Sequence, residues 1–252
     1  MADESPKHVK DIKDILRAYK SGELSMERAE LLLKGEMMGE IENMANLDVF
    51  RELRAGIPEL IFAESKSNEM VREIIETFLE EKGIAVLTRL TFEQEAMIAD
   101  DYGINAEINS AAHIAIITRP EFQFPGVAGL VGIITAGTSD IPVAEEAAVV
   151  CKVMGCDVER VYDIGIAGIH RLFKPLKALV EKNVDVIVCC AGMEGALPSV
   201  IASLTDVLVI GVPISTGYGF GGKGETALRS MLQSCSPGLV TVNINNGVGA
   251  GA

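Results

Sequence analysis

The stretch GLVGIITAGTSD (129–140) decides the fold, because an apolar strand runs directly into a glycine and a helix start. Four further apolar strands follow at regular intervals, at 158–165, 184–192, 206–215 and 238–245. Helical segments are predicted between them, at 140–155, 168–182, 196–205 and 224–234. Near-continuous apolar strands are typical of a parallel sheet that is covered on both faces. The sequence therefore predicts an α/β fold with a doubly wound parallel sheet.

The front of the chain has a different pattern, with more charge and less glycine. Two amphipathic helices are predicted within 8–34, followed by a strand at 59–64, a helix at 67–82, a strand at 84–90, a helix at 92–101 and a strand pair within 107–118. Pro120, Pro125 and Gly126 indicate a linker. We therefore predict a smaller N-terminal helical and α/β domain over 1–125 and a second domain over 126–252.

Composition excludes several classes of protein. The 36 acidic and 22 basic residues give a net charge of −14, which argues against nucleic acid or an anionic membrane as partner. No apolar run reaches the ~18 residues of a membrane span. The opening MADESPKHVK lacks the pattern of a signal peptide, so a cytoplasmic location is expected.

Five cysteines all lie in the back half, and their odd number without a secretion signal argues against a disulfide framework. Cys151, Cys156, Cys189 and Cys190 lie in apolar segments and are interpreted as small core residues. Cys235 lies in a predicted loop, Ser234 to Gly238. There it is either structural or, if a cation lowers its pKa, a nucleophile.

In a doubly wound sheet, ligands bind beyond the carboxyl ends of the strands. The residues Gly137, Thr138, Ser139 and Asp140 follow the first core strand and open a helix, where free N–H groups bind phosphate well. Asp140 would either hold a ribose hydroxyl or cap the helix.

Two further turns at the same edge carry ionisable groups. His170 and Arg171 follow the second core strand, where they suit proton transfer and anion binding or are surface helix residues. Gly192, Met193 and Glu194 follow the third strand, where glycine lets backbone approach a flat ligand. Glu194 would handle a proton or a metal, or is a solvated charge at a helix entry.

The loop GYGFGGKG (217–224) resembles two phosphate-binding fingerprints and satisfies neither. No acidic ribose binder follows at the distance that the dinucleotide fingerprint requires. Gly224 stands where a P-loop has Ser or Thr for Mg²⁺. The loop is interpreted as an anion-binding loop with Lys223 or as a flexible lid.

Four segments carry a family resemblance: TAGTSDIPVAEEA (135–147), GIAGIHR (165–171), GMEGALPSVIA (192–202) and MLQSCSPGLVTVNINNGVGAG (231–251). The back half resembles the phosphoribosyl-aminoimidazole carboxylase/mutase family of purine synthesis, which is flavodoxin-like. The whole chain resembles the LarB family, the pyridinium-3,5-biscarboxylic acid mononucleotide synthases of nickel-pincer cofactor biosynthesis. RELRAGIPELIFAESK (51–66) is similar to the front domain of that family.

The LarB resemblance implies a reaction. The pyridinium ring of nicotinic acid adenine dinucleotide is carboxylated with CO₂ or bicarbonate and the phosphoanhydride is hydrolysed, which gives pyridinium-3,5-biscarboxylic acid mononucleotide and AMP. Mg²⁺ is expected as cofactor, with no organic cofactor and with ligands that no motif assigns. A homo-octamer is expected, and NINNGVGAGA (243–252) is expected to run along a neighbouring subunit.

The resemblance also implies roles for individual residues. Cys235 is the expected nucleophile, His170 the proton-handling residue and Glu194 our own inference for the proton acceptor. The expected substrate-binding residues are Gly137, Thr138, Ser139, Asp140, Arg171, Gly192 and Met193. Two alternatives stay open, a purine-pathway carboxylase or mutase and a non-catalytic nucleotide-sensing module.

Overall fold

The computed structural model describes residues 12–40 and 56–252. These residues fall into two compact units, one ending at Glu59 and one spanning Leu60–Ala252. The first unit contains α1 (Ile12–Lys20) and α2 (Met26–Glu40), which confirms the two predicted helices. The two helices pack together through the buried side chains of Ile15, Ala18, Leu24 and Ala29. Residues 8–11 and 51–55, which belong to the predictions above, lie outside the described residues.

The second unit begins with a mixed sheet, which we call the front sheet. Its strands are β1 (Leu60–Phe62), β2 (Ile84–Thr88), β3 (Ala106–Asn109) and β4 (Ile114–Thr118), in the order β1-β2-β4-β3. Its helices are α3 (Asn68–Lys82) and α4 (Phe92–Tyr102). The β1 and β2 strands are parallel, and the other neighbours are antiparallel. Gly83 ends α3 with φ +74°, which a glycine adopts at no steric cost.

A five-stranded parallel sheet follows, which we call the back sheet. Its strands are β5 (Gly129–Thr135), β6 (Cys156–Val161), β7 (Val186–Ala191), β8 (Leu208–Pro213) and β9 (Leu239–Thr241). Their order, β6-β5-β7-β8-β9, is the flavodoxin-like order, so the predicted fold class is confirmed. The helices are α5 (Ile141–Val153), α6 (His170–Glu181), α7 (Leu197–Leu204), α8 (Glu225–Leu232) and α9 (Gly247–Gly251).

The core strands are shorter than predicted, and the reason is visible for two of them. The β6 strand begins at Cys156 and ends at Val161 rather than covering 158–165, because Asp163 has a left-handed backbone with φ +58°. The N–H of Asp163 donates to the Thr135 hydroxyl (3.0 Å) instead of continuing the ladder. The β9 strand has three residues rather than the eight predicted over 238–245, since the chain turns away before Asn245, where φ is +55°.

Helix α5 lies between the two sheets and is buried along most of its length. One face, with Ala144, Ala147 and Ala148, packs against the back sheet. The opposite face, with Val149 and Val153, packs against β2 and β4 of the front sheet. The other side of the back sheet is covered by α6, α7 and α8. Both sheets thus belong to one compact unit, and the domain boundary at 125/126 stays a prediction.

The C-terminal segment packs against its own chain. Helix α9 packs against α5 of its own chain, and the Cys151 thiol donates to the carbonyl of Gly251 (3.6 Å). A Cβ on Gly247 would lie 2.1 Å from the carbonyl oxygen of Val143, so the contact requires glycine. Residues 247–251 therefore pack against α5 of their own chain, and the expectation that 243–252 also run along a neighbouring subunit stays a prediction.

The described helices also bear on the membrane question. None of those in residues 12–40 or 56–252 is long and apolar enough to cross a lipid bilayer.

Candidate active site

A cleft of about 220 Å³ opens at the carboxyl ends of β5, β6, β7 and β8. This is the point where the strand order reverses, since the chain passes to opposite sides of β5 for β6 and β7. The lining residues are Ala136, Gly137, Ser139, Asp140, Gly165, Ile166, Ala167, Ala191, Gly192, Met193, Glu194, Ala196, Leu197 and Thr216. Six of the predicted site residues thus line one cleft, namely Gly137, Ser139, Asp140, Gly192, Met193 and Glu194.

The turn after β5 combines a cap and a cleft wall. The Asp140 carboxylate is buried, and its Oδ2 accepts a hydrogen bond from the Gly137 N–H (2.8 Å). Burial raises the pKa of Asp140 above its usual range, although hydrogen bonds from Gly137, Ser139 and Ala136 oppose the shift. The Ser139 side chain faces the cleft, whereas the exposed Thr138 does not line it. Asp140 therefore orders the loop at the start of α5 and also borders the cleft.

The turn after β7 brings backbone close to backbone. A Cβ on Gly192 would lie 2.5 Å from the carbonyl oxygen of Thr216, so only glycine fits there. Met193 has a left-handed backbone with φ +53°, and its side chain is partly exposed in the cleft. Glu194 is exposed on the cleft wall and forms no ion pair within the described residues. The turn thus offers a free carboxylate beside a flat backbone surface.

The turn after β6 lines the cleft through Gly165, Ile166 and Ala167. His170 and Arg171 follow it in the first turn of α6, where both are exposed and neither lines the cleft. The Arg171 guanidinium donates to the Asp163 carboxylate (2.9 Å), so its positive charge is already paired with an aspartate. The two residues stand beside the cleft in this chain rather than within it.

Cys235 is the one exposed cysteine of the five. It lies in the connection from α8 to β9 and therefore at the amino end of β9, whereas the cleft lies at the carboxyl ends of the strands. The neighbouring Ser236 hydroxyl donates to the Ser199 carbonyl of α7 (2.8 Å). Within one chain Cys235 thus lies at the opposite end of the strands from the cleft, because α8 starts at the cleft end of the sheet and carries the chain away from it; its role as nucleophile stays a prediction.

Comparisons with known proteins place this cleft in a family. The AIR carboxylase family matches residues 130–252, and a LarB/PurE-like N-terminal domain matches residues 38–119. An uncharacterized protein of Methanocaldococcus jannaschii is 43% identical over 96% of this chain and 94% of its own length. The chain belongs to the AIR carboxylase family. This is a family of carboxylase-type enzymes.

Relatives with named activities match the back of the chain. The N5-carboxyaminoimidazole ribonucleotide mutase of Thermotoga maritima is 38% identical over 48% of this chain and 70% of the mutase. The phosphoribosylaminoimidazole carboxylase of Candida glabrata is 34% identical over 48% of this chain and 21% of that protein. The similarity to these two proteins spans about half of this AIR carboxylase family member.

One support of the cleft was missed by sequence reasoning. The Asn245 side chain accepts a hydrogen bond from the Ser215 N–H (2.9 Å) and donates one to the Ser215 hydroxyl (2.7 Å). Arg89 of the front sheet donates to the Asn245 carbonyl (3.3 Å) and pairs with Glu146 (3.3 Å). Ser215 directly precedes Thr216, which lines the cleft. Left-handed backbones at Arg89 and Asn245 allow it, and a sequence pattern does not reveal them.

The adjacent glutamates of α5 were also missed, and their pKa values shift in opposite directions. Burial raises the pKa of Glu145, but hydrogen bonds from Arg160 (2.8 Å), Tyr162 and Asn109 (2.7 Å) outweigh it and hold the pKa below its usual value. Burial raises the pKa of Glu146, and its Oε2 makes no hydrogen bond within the described residues. Two adjacent glutamates in an apolar helix indicate burial only once both faces of the helix are known to be covered.

Proposed function

We propose that this AIR carboxylase family member carboxylates the pyridinium ring of nicotinic acid adenine dinucleotide with CO₂ or bicarbonate and hydrolyses its phosphoanhydride. The products are pyridinium-3,5-biscarboxylic acid mononucleotide and AMP. One observation carries the proposal: a carboxylase-type cleft, floored by Gly137 and Gly192, is joined to a front that matches a LarB/PurE-like N-terminal domain. This N-terminal region distinguishes the chain from a protein that consists only of the mutase-like part.

The chemistry explains why a thiol is needed. A pyridinium ring is electron-poor and does not attack CO₂. When the Cys235 thiolate adds to the carbon beside the ring nitrogen, a C–S bond forms and the ring becomes a neutral dihydropyridine with a nucleophilic, enamine-like neighbouring carbon. That carbon bonds to CO₂. Loss of its proton and departure of the thiolate then restore the aromatic ring, so that one C–H and one CO₂ become one carboxylate and one proton.

The cleft residues hold and deprotonate the substrate. Within the turn after β5, the N–H groups of Thr138 and Ser139 suit the phosphate of the nicotinate half, since those of Gly137 and Asp140 already donate within the turn, and the buried Asp140 suits a ribose hydroxyl. The flat Gly192 backbone suits the ring. Glu194, which is exposed and unpaired within the described residues, accepts the ring proton in this proposal, and His170 serves as a second proton-handling group at the mouth.

Mg²⁺ would assist the hydrolysis as a Lewis acid on the phosphoanhydride. No group of three or more His, Cys, Asp and Glu comes together in the part of the chain that the structure describes. Mg²⁺ is often held by one or two carboxylates together with substrate phosphates, and Glu194 fits that pattern. The site residues are thus compatible with a metal that arrives with the substrate.

The position of Cys235 has a consequence for assembly. Since it lies at the amino end of β9 and outside the cleft of its own chain, a covalent mechanism needs a Cys235 from a second copy. We therefore propose a homo-oligomer, an octamer, with each active site formed at a subunit contact. Light scattering at micromolar concentration checks this, and a monodisperse monomer with full activity would contradict it.

A single assay tests the activity. The protein is incubated with nicotinic acid adenine dinucleotide, bicarbonate and Mg²⁺, and the products are read by mass spectrometry. Equal amounts of AMP and the dicarboxylated mononucleotide are expected. Binding without turnover would instead identify a nucleotide-sensing module.

A purine-pathway mutase is the second candidate, favoured by the 38% identity to the Thermotoga maritima mutase across the cleft-bearing half. The imidazole of that substrate is already electron-rich, so its carboxylation needs no thiol. Conversion of N5-carboxyaminoimidazole ribonucleotide, with the pyridinium dinucleotide left unchanged, would support the mutase and exclude the first proposal.

A further inference from the structure

The segment Gly217–Gly224, which we call the aromatic loop, continues directly from the cleft wall at Thr216. Its two aromatic side chains, Tyr218 and Phe220, are 82% and 109% exposed. Its Lys223 is exposed, has a left-handed backbone with φ +64°, and forms no ion pair within the described residues. Aromatic side chains normally bury their large apolar area, so two neighbouring exposed ones call for a partner.

Both ends of the aromatic loop are fixed to the cleft. A Cβ on Gly217 would lie 3.2 Å from the Met193 sulfur, and one on Gly224 would lie 3.2 Å from the Ser215 Cα. Its middle is fixed as well, since Gly221 packs tightly on Thr226 at the start of α8. The aromatic side chains are therefore held next to the cleft mouth even though their rings are in solvent.

The cleft alone is too small and has the wrong charge for a dinucleotide. Its volume of about 220 Å³ is below the roughly 300 Å³ at which pockets for drug-sized ligands begin. Its two ionisable lining residues, Asp140 and Glu194, are both acids. A ligand with two nucleotide halves joined by an anionic anhydride must extend out of the cleft and needs a cation at the point where it leaves.

We propose that the aromatic loop is the binding site for the second half of the dinucleotide, with Lys223 on the phosphoanhydride and Tyr218 and Phe220 stacked on the adenine. The inference rests on the proposed function and extends it to the recognition of the leaving AMP. Stacking on aromatic side chains is sequence-tolerant, because every base has a π-face. The two halves of the substrate then use two different surfaces, a closed cleft and an open loop.

The absence of tryptophan from the chain allows a direct test. Phe220→Trp introduces a single indole, and AMP alone serves as the probe. Quenching of its fluorescence by AMP, saturable and absent with ribose 5-phosphate, is expected. The matched control is Phe92→Trp, at an exposed phenylalanine on α4 of the front sheet, which AMP should leave unchanged. Equal quenching of both variants would overturn the proposal.

Calorimetry separates the two halves. Phe220→Ala and Tyr218→Ala should each weaken binding of nicotinic acid adenine dinucleotide about five- to a hundredfold, the equivalent of ~1–3 kcal/mol per stacked base. Binding of nicotinic acid mononucleotide should not change. Lys223→Gln should weaken dinucleotide binding about two- to fivefold, the equivalent of ~0.4–1 kcal/mol, within the range of an exposed ion pair. Lys177→Gln, on the exposed face of α6, is its control.

Different experimental results would contradict this inference and the proposed function. If the wild type converts the dinucleotide and the aromatic variants bind it normally, the aromatic loop has no such role. If these variants change the oligomeric state while dinucleotide affinity stays constant, the rings pack against another copy and the inference is overturned. If AMP binds in a Phe220-dependent way but no carboxylation occurs, the loop assignment stands and the proposed reaction fails.

Discussion

The front sheet has four strands and the back sheet has five, but the strands of the two sheets differ in direction. In the back sheet all five strands are parallel, so every strand delivers its carboxyl end to one edge, and the turns after four of them form the cleft. In the front sheet β4 is antiparallel to both β2 and β3, so its carboxyl end lies at the opposite edge from those of the other three strands. The uniform strand direction of the back sheet thus brings the turns that line the cleft to one edge.

The front sheet has a supporting role in this arrangement. It contributes Asn109 to the buried Glu145 cluster and Arg89 to the Asn245 turn, and it covers one face of α5. These contacts join structures whose residues are far apart along the chain. We therefore predict that substitutions in the back sheet change chemistry. Substitutions at the junction, by which we mean the contacts of Arg89 and Asn109 with α5 and Asn245, should change stability and the position of the cleft wall.

The largest effect is expected from Cys235→Ser. Ring carboxylation should be abolished in a folded protein, because a serine alkoxide is scarce at neutral pH and leaves poorly. Intact-protein mass spectrometry with substrate should show an adduct on the wild type that is missing from the variant. The control is Cys151→Ser, a buried position that should keep the chemistry and lose only stability.

The location of Cys235 adds a second readout to that experiment. Mixed oligomers of Cys235→Ser chains and Asp140→Asn chains, each inactive alone, should regain part of the activity, because an intact cleft and an intact thiol then meet across a subunit contact. Wild-type product formation by Cys235→Ser alone would show that the covalent mechanism is wrong. Mixed oligomers without activity would show that the thiol does not act between chains.

The next effect concerns the junction and its two glutamates. Glu145→Gln should lower the free energy of unfolding by about 3 kcal/mol at neutral pH, at the low end of the ~3–5 kcal/mol for breaking a buried pair, since Arg160 is partly exposed. Because the folded-state pKa of Glu145 is lowered, its contribution exists above the usual pKa and is lost as pH falls through the folded value. The variant should therefore approach the wild type in acid.

Glu146→Gln serves as the matched control with the opposite sign. The folded-state pKa of Glu146 is raised, so this group contributes to the free energy of unfolding of the wild type at low pH. That contribution is lost as pH rises through the folded-state pKa. Glu146→Gln should therefore lower the free energy of unfolding less at neutral pH than in acid. Urea unfolding between about pH 4 and pH 8 checks both variants, and parallel pH profiles would contradict the assignment.

A smaller effect is expected from Arg171→Ala, which tests whether a residue beside the cleft reaches the substrate. If Arg171 turns from Asp163 to a substrate phosphate, its loss removes a charge-assisted contact of ~1.5–3 kcal/mol, roughly ten- to a hundredfold in affinity. Calorimetry with nicotinic acid adenine dinucleotide measures it, and Arg229→Ala on the exposed face of α8 is the control. Unchanged affinity would leave Arg171 as a structural partner of Asp163.

The sequence predicted the back sheet well because each buried parallel strand is a nearly continuous apolar run ended by glycine. The same reasoning placed Asp140, Gly192 and Glu194 at one edge, since parallel strands share that edge. It did not connect Cys235 with that edge, because Cys235 precedes β9 along the chain and therefore lies at the amino end of that strand. It also missed Arg89 and Asn245, whose left-handed backbones depend on tertiary contacts between distant segments.

The smallest effect, and the sharpest test of the supporting role, comes from Arg89. Arg89→Gln removes a cation from the buried Glu146 and weakens the hold on the Asn245 carbonyl, so both stability and dinucleotide affinity should fall. The double variant Arg89→Gln/Glu146→Gln removes the unpaired charge as well. If Arg89 only neutralises Glu146, the double variant regains stability and affinity together. If Arg89 also positions Ser215 and Thr216 through Asn245, stability returns but affinity stays about fivefold weaker, the equivalent of ~1 kcal/mol for one hydrogen bond. Hydrogen exchange of the segment around Ser215 supplies a readout that needs no ligand, and it should stay faster than in the wild type. Arg72→Gln, which breaks an exposed ion pair with Asp101 elsewhere in the front sheet's helices, should change neither quantity.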